Sequence, residues 1–282
     1  MAVNERLRER LESVLAERER SGTRRGLRVI DPQLGLLNLA SNDYLGLAGN
    51  AKLKKAGRDA IDRYGCSSSA SPLISGFGPA HKELLESVKA WHGFEHGIVW
   101  NSGYAANQAI LRQLPRKEDV VLADRLIHNS MITGILSSGA RLARYRHCDL
   151  DHLETLLRSH CKEDRLVFVA TESVFSMDGD YPDLARMAEL KKQYRFFWIL
   201  DEAHAMGWYG DKGSGLAEFF GVAKQVDVLV GTLGKALGST GAYTLFHDNN
   251  LSDYLVNLSG EFIYSTYCRL SAPRSLVRRC SR

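Results

Sequence analysis

At 282 residues, 44% hydrophobic and 25% charged, the chain has a globular composition and is neither disordered nor fibrous. Its formal net charge of +4 is small for this length. Arginines crowd the two ends (Arg6 to Arg25, Arg274 to Arg282), but no nucleic-acid motif accompanies them, so they read as solvated charge and not as a nucleic-acid site. The cysteines Cys66, Cys148, Cys161, Cys268 and Cys280 form no C-x-x-C pair, which argues against a disulfide framework or a zinc ribbon. The nine histidines show no metal-ligand spacing, so no metal is expected. The start is charged from Glu5 onward and no apolar run approaches the ~20 residues of a membrane span. A cytoplasmic location without membrane contact is the expectation.

Residues 4–20 predict an amphipathic helix with Leu7, Leu11, Val14 and Leu15 on one stripe. Ser21-Gly22 ends it, and Leu34 to Leu39 is a short strand candidate. A helix follows over Lys52 to Tyr64, then a Ser/Gly-rich loop over Gly65 to Gly78 and a helix over His81 to Phe94. Strands are predicted at Gly97 to Trp100, Val120 to Leu122, Leu166 to Thr171, Phe196 to Leu200 and Val226 to Val230. Helices are predicted at Gly103 to Leu114 and Leu184 to Tyr194. Short apolar strands alternating with helices indicate an α/β fold: a mostly parallel sheet with helices on both faces. Such sheets bind ligands at the carboxyl ends of their strands. Polar, reactive groups sit after the predicted strands repeatedly: Ser102-Gly103, Asp124 to His128, Glu172 to Ser176, Asp201 to His204 and Thr232 to Lys235.

Lys235 lies among Gly231, Gly234, Gly238 and Gly241, where the backbone can turn sharply and approach a ligand. A P-loop would need Gly at 229 and Ser or Thr at 236; the chain has Leu229 and Ala236. A buried lysine has a lowered pKa and can attack an aldehyde or act as a base. Asp201 ends an apolar strand. By itself it reads equally as a helix N-cap or as the partner of a buried cation. With Lys235 downstream, the pair favours pyridoxal phosphate, the lysine carrying the cofactor and the acid holding its pyridinium nitrogen. His204 could reach the ring hydroxyl and His128 could stack on the ring. Ser102, Gly103, Tyr104 and Thr232 are candidates for the phosphate at a helix N-terminus.

Six segments in one order carry a family resemblance. They are Asn42 to Gly46, Asn101 to Asn107, Asp124 to His128, Glu172 to Asp180, Asp201 to His204 and Thr232 to Lys235. The chain resembles the α-oxoamine synthases, fold-type I pyridoxal phosphate enzymes, and among them the 8-amino-7-oxononanoate synthases, over about residues 34–267. The resemblance implies an N-terminal helical arm (1–38) and a cofactor-binding large domain (39–282). It implies that Lys235 carries the cofactor, that Asp201 pairs with the ring nitrogen and that His128 stacks on the ring. Ser176 and His204 would lie near the ring hydroxyl, and Gly103, Tyr104 and Thr232 would seat the cofactor and its phosphate. The implied assembly is a homodimer with a shared site, in which Ser265 and Thr266 reach the partner subunit's phosphate. Arg24 would hold the acyl substrate.

The implied reaction is the decarboxylative condensation of an amino acid, L-alanine favoured, with an acyl thioester. Pimeloyl-CoA or a pimeloyl carrier protein is favoured, as in biotin synthesis. The close relatives (glycine C-acetyltransferase, 5-aminolevulinate synthase and serine palmitoyltransferase) are alternatives for the substrates. The wording of the Asp201 and Phe175 segments does not suit a plain aminotransferase. Two departures stand out. Pro72 sits near the place of a family arginine. Beyond Tyr267 the text turns basic and no longer resembles the family, which continues into a smaller C-terminal domain. The expectation is therefore a large domain with an atypical tail at 268–282, truncated by a frameshift or early end. A catalytically impaired paralogue that binds cofactor or a partner subunit is the second reading.

Overall fold

The computed structural model describes residues 4–31, 35, 37–161 and 165–268. The chain divides into two compact units, residues 1–41 and 42–282. In the first, α1 (Glu5–Arg20) is capped by the Asn4 side chain, which accepts from the Arg6 N–H at 3.0 Å. The predicted helix is present, and none of its residues is buried. The strand expected over Leu34 to Leu39 is not found at the described positions. Gly35, Leu37 and Asn38 are irregular, Leu39 is in a turn, and Leu34 and Leu36 lie outside the described residues. Among the described residues of this unit there is no partner strand with which these apolar residues could complete a ladder.

The second unit runs α2 (Ala51–Tyr64), α3 (Pro79–His92), β1 (His96–Trp100), α4 (Gly103–Gln113), β2 (Val120–Asp124), α5 (Asn129–Ser138) and β3 (Arg141–Tyr145). It continues with α6 (Leu150–His160), β4 (Val167–Glu172), α7 (Leu184–Tyr194), β5 (Phe197–Asp201), α8 (Leu216–Phe219) and β6 (Val228–Thr232). It ends with β7 (Ala242–Phe246), α9 (Asn249–Leu258) and α10 (Gly260–Ile263). The strands form one sheet in the order β1-β7-β6-β5-β4-β2-β3. The pairs β2/β3, β2/β4, β4/β5 and β5/β6 are parallel, and β7 runs antiparallel to both β6 and β1. The sheet is mostly parallel, as predicted. It is also mixed, because β7 returns directly from the loop after β6.

Every residue of β2, β4, β6 and β7 is buried. Successive side chains of a strand point to opposite faces, so both faces of the sheet are covered. This explains why these strands read as unbroken apolar runs instead of alternating ones. The edge strand β3 shows the contrast: Arg141 and Arg144 are exposed and only Tyr145 is buried. That mixed pattern hid β3 from periodicity. The core contains fully buried Trp100, Trp198, Tyr145, Tyr243, Phe175 and Phe246, each contributing on the order of 2–3 kcal/mol by leaving water.

Close backbone approach shapes the loop after β6. Gly238 has φ +62°, and a Cβ there would lie 2.4 Å from the Ala48 backbone nitrogen. The Leu47–Ala48 turn therefore packs directly on the Lys235 loop. Gly238→Ala is expected to destabilise the protein by about 3 kcal/mol through strain and this backbone clash. A thermal midpoint unchanged from the wild type would refute that packing.

Candidate active site

Four parallel strands end at one edge of the sheet, and their last residues are polar: Asp124 on β2, Glu172 on β4, Asp201 on β5 and Thr232 on β6. In the β4/β5 register Glu172 lies opposite Asp201, so two buried carboxyl groups sit at adjacent strand ends. Lys235 follows β6 in a loop closed by backbone bonds, Leu233 N–H to Gly241 O at 2.9 Å and Ser239 N–H to Leu233 O at 2.8 Å.

Lys235 Nζ lies 2.5 Å from His204 Nε2, and His204 Nδ1 lies 2.6 Å from the Tyr44 hydroxyl. Burial, and then the charge of Lys235, push the His204 imidazole down to about 4. It is therefore neutral at physiological pH. A neutral ring has one acceptor and one donor nitrogen. Nε2 accepts from Lys235, Nδ1–H donates to Tyr44, and the Tyr44 hydroxyl donates to Asn42 Oδ1 at 3.2 Å. Burial also lowers the Lys235 pKa, against the opposing charges of Asp201 and Glu172. Tyr44→Phe leaves the Nδ1–H of a largely buried imidazole without its acceptor. It is expected to cost about 1–2 kcal/mol of stability, read as a lower denaturant midpoint; an unchanged midpoint would contradict the assigned tautomer.

A second network runs behind Asp201. One carboxylate oxygen accepts from Ala203 N–H at 2.9 Å and the other from Asn107 Nδ2 at 2.8 Å. Asn107 Nδ2 also donates to Ser130 Oγ at 3.1 Å, and Ser130 Oγ lies 2.7 Å from His128 Nδ1. The Ser130 backbone N–H points at the same nitrogen at 3.3 Å. His128 Nδ1 is thus an acceptor, and the imidazole stands exposed as the N-cap of α5. The Tyr104 ring meets it edge-on, centroids 6.3 Å apart. Glu172 is pushed up to about 8 by burial and then by the charge of Asp201.

Glu202 plays a structural part. Fully buried, it is raised to about 7 by burial, and it accepts the Leu216 and Ala217 N–H groups at 3.1 and 2.7 Å at the start of α8.

A model of the aminotransferase class I and II family matches residues 35–275. The chain belongs to this family. It is 45% identical over 252 residues to the 8-amino-7-oxononanoate synthase of Chlorobaculum parvum, covering 87% of this chain and 64% of that protein. It is 43% identical over 260 residues to that of Trichlorobacter lovleyi, covering 89% of this chain and 66% of that protein. The chain thus spans just under two thirds of the length of these relatives. Among solved structures, the Sphingomonas wittichii serine palmitoyltransferase superposes with a TM-score of 0.86 at 26% identity, covering 99% of this chain and 72% of that one. The Francisella tularensis 8-amino-7-oxononanoate synthase gives 0.74 at 28% identity, covering 88% and 70%. These likenesses place the chain with the α-oxoamine synthases of the family.

The residues at this edge fit the cofactor that the resemblance implies. Gly103 and Tyr104 open α4, whose first-turn N–H groups have no acceptor within the helix, and Ser102 caps it by accepting from Ala105 N–H at 3.1 Å. A Cβ on Gly103 would find no nearer neighbour than Thr232 Cβ at 3.9 Å. The space before the helix terminus, beside the Thr232 hydroxyl, is therefore open to an anion. Buried Asp201 offers a carboxylate for a protonated ring nitrogen, and Lys235 an amine of lowered basicity.

The other predicted positions are placed as follows. Ser176 is exposed in the loop after β4. Ser265 and Thr266 are strapped to Asn101, whose Nδ2 donates to Ser265 Oγ at 2.7 Å and to Thr266 O at 2.9 Å. The strap is held further by the Tyr267 hydroxyl donating to Val99 O at 2.7 Å and by Cys268 N–H donating to Asn101 Oδ1 at 2.7 Å. These are contacts within the chain, two residues before Gly103. Arg24 lies in the N-terminal unit and pairs with Glu19 at 3.1 Å, both side chains more than half exposed. Of the atypical tail, residues 269–282 lie outside the described residues.

Residue-by-residue reading missed Tyr44, Asn107, Ser130 and the protonation of Glu172. A signal existed for Asn107, four residues after Gly103 on the same face of α4. Tyr44 lies in the Asn42–Gly46 segment that carries the family resemblance, but nothing in the sequence pairs it with His204, 160 positions away.

Proposed function

We propose that this chain binds pyridoxal 5'-phosphate through Lys235 and Asp201 and supports condensation of an amino acid with an acyl thioester. L-alanine and a pimeloyl thioester are the favoured pair. The observation that carries the reading is the convergence of buried Asp201, with its Asn107 donor, and the Lys235–His204 pair at one sheet edge. The 8-amino-7-oxononanoate synthase relatives support the choice of substrates.

Bound, the cofactor supplies an electron sink for charge developing at the substrate α-carbon. Lys235, kept less basic by burial, is the base for the α-proton. Asp201 fixes negative charge at the strand end, and its two N–H donors stop it from rotating away. Neutral His204 offers Nε2 to Lys235 while Tyr44 holds its other nitrogen. His128, exposed beside Tyr104 and anchored by Ser130, presents a flat face from the β2 side. Gly103, Tyr104 and Thr232 supply N–H and hydroxyl donors for a phosphate. Ser176 is assigned to the ring hydroxyl and Arg24 to the acyl substrate. Ser265 and Thr266, fixed on their strap, would serve the phosphate of a second subunit in a homodimer. Among the described residues no helix is long and apolar enough to cross a membrane.

The test is direct. Purified protein with pyridoxal 5'-phosphate should gain a visible absorbance band that borohydride removes. L-alanine with pimeloyl-CoA should then release coenzyme A. A band without release favours the second reading, a cofactor-binding protein without turnover. No band refutes both.

A further inference from the structure

His147 lies outside every segment assigned to the chemistry, in the turn between β3 and α6. Its Nδ1 lies 2.9 Å from Asp124 Oδ1 and its Nε2 3.0 Å from Asp180 Oδ2. Its ring meets Phe175 edge-on, centroids 4.5 Å apart. Asp124, fully buried at the end of β2, also accepts the Leu126 and Cys148 N–H groups at 2.8 Å each. It therefore shapes the turn that delivers His128. Asp180 closes the loop that carries Ser176, its backbone oxygen accepting from Phe175 N–H at 2.9 Å.

Two carboxylates accept and cannot donate, so one imidazole can bridge them only with both ring nitrogens protonated. The geometry therefore requires the imidazolium. We propose that His147 is a positioning residue: as the imidazolium it latches the Ser176 loop, through Asp180, to the β2 end that carries His128. The groups facing it are the carboxylates of Asp124 and Asp180, which favour its charge when ionised, and the Cys148 thiol 3.7 Å from Nε2, whose pKa burial raises so that it stays neutral. Burial alone would lower its pKa, but the bonds and charges of Asp124 and Asp180 raise it overall. With a folded-state pKa above the usual value, the latch is closed at low pH and opens as pH rises through that raised value. A neutral ring keeps one N–H. Buried Asp124, with no water to replace the bond, retains it, and the half-exposed Asp180 is released.

The inference rests on the proposed function only for what the two segments do, and hydrogen exchange tests it without turnover. Exchange of residues 174–179 in the full chain is measured at about pH 6 and about pH 9 and corrected for intrinsic rates; it should quicken about tenfold at the higher pH relative to the rest of the protein. Asp180→Ala should show the fast exchange at both values. Asp180→Asn, which keeps the shape and removes the charge, should move the transition to lower pH. The latch is refuted by a wild type with no such pH dependence, or by a dependence that persists unchanged in either variant. Pyridoxal 5'-phosphate titration separates the two ideas. Failure of the wild type to bind cofactor refutes the proposed function and leaves the exchange result standing. A wild type that binds, with weaker binding in Asp180→Ala, ties the latch to the site.

Discussion

Lys235→Ala is expected to abolish the visible band formed with pyridoxal 5'-phosphate and to lower turnover by about 10⁴-fold, the upper range for loss of a positioned base. Lys235 is the one lysine held at the strand ends between Asp201, Glu172 and His204 among the described residues. Burial lowers its pKa, so the neutral, nucleophilic amine persists to lower pH than on a surface lysine. Band formation in the wild type should therefore survive acidification to values where an ordinary lysine is almost wholly charged. Stability should not suffer. A lysine whose folded-state pKa lies below its unfolded value opposes folding at pH below that unfolded value, and its removal lifts the penalty. Absorbance and thermal melting together read the outcome. A borohydride-reduced adduct that maps to another lysine, or persists in Lys235→Ala, would overturn the assignment.

Asp201→Asn is expected to lower turnover by about 10²–10³-fold, in the range seen when preorganised charge is removed from a site. The substitution keeps the shape and removes the charge. It also breaks the hydrogen-bond logic, because both carboxylate oxygens accept, one from Ala203 N–H and one from Asn107 Nδ2. An amide would set its NH₂ against one of these donors. Relief comes by flipping Asn107, whose buried Oδ1 has no partner in the native arrangement. The flipped amide offers Ser130 an oxygen in place of an N–H, and Ser130 can then donate to it and release His128 Nδ1. The effect should reach His128 through two intermediate side chains. Loss of the Asp201 charge also removes the second cause of the raised Glu172 pKa, leaving burial, so Glu172 should ionise at lower pH than its native value of about 8. Steady-state kinetics with cofactor titration measure the first effect, and NMR of the His128 ring the second. Undiminished turnover in Asp201→Asn would refute the role.

The strands that run through the middle of the sheet were legible because burial on both faces leaves an unbroken apolar run. The apolar runs place β4 and β5 one residue too early and β6 two residues too early. The alternation of apolar runs and helices does not mark β3 or β7. β3 is an edge with exposed arginines, and β7 lies directly after the glycine-rich loop, where no helical segment announces a new strand. The polar groups after each strand were legible for the same reason as the strands: an apolar run that ends abruptly in Asp, Glu or Thr marks a buried carboxyl end.

The order of residues determined, by itself, that there is an α/β sheet and that Asp201 and Lys235 lie at strand ends. Both facts are local, written in runs of five or six residues. Which strand ends are neighbours was decided only by the tertiary structure, since the order β6-β5-β4-β2 is a matter of long-range pairing. So were the contacts that set protonation. Tyr44 reaches His204, Asn107 reaches Asp201, and Asp180 reaches Asp124 through His147. A proton's position depends on the few atoms within about 3 Å and on how much water they exclude, and only the folded chain brings those atoms together.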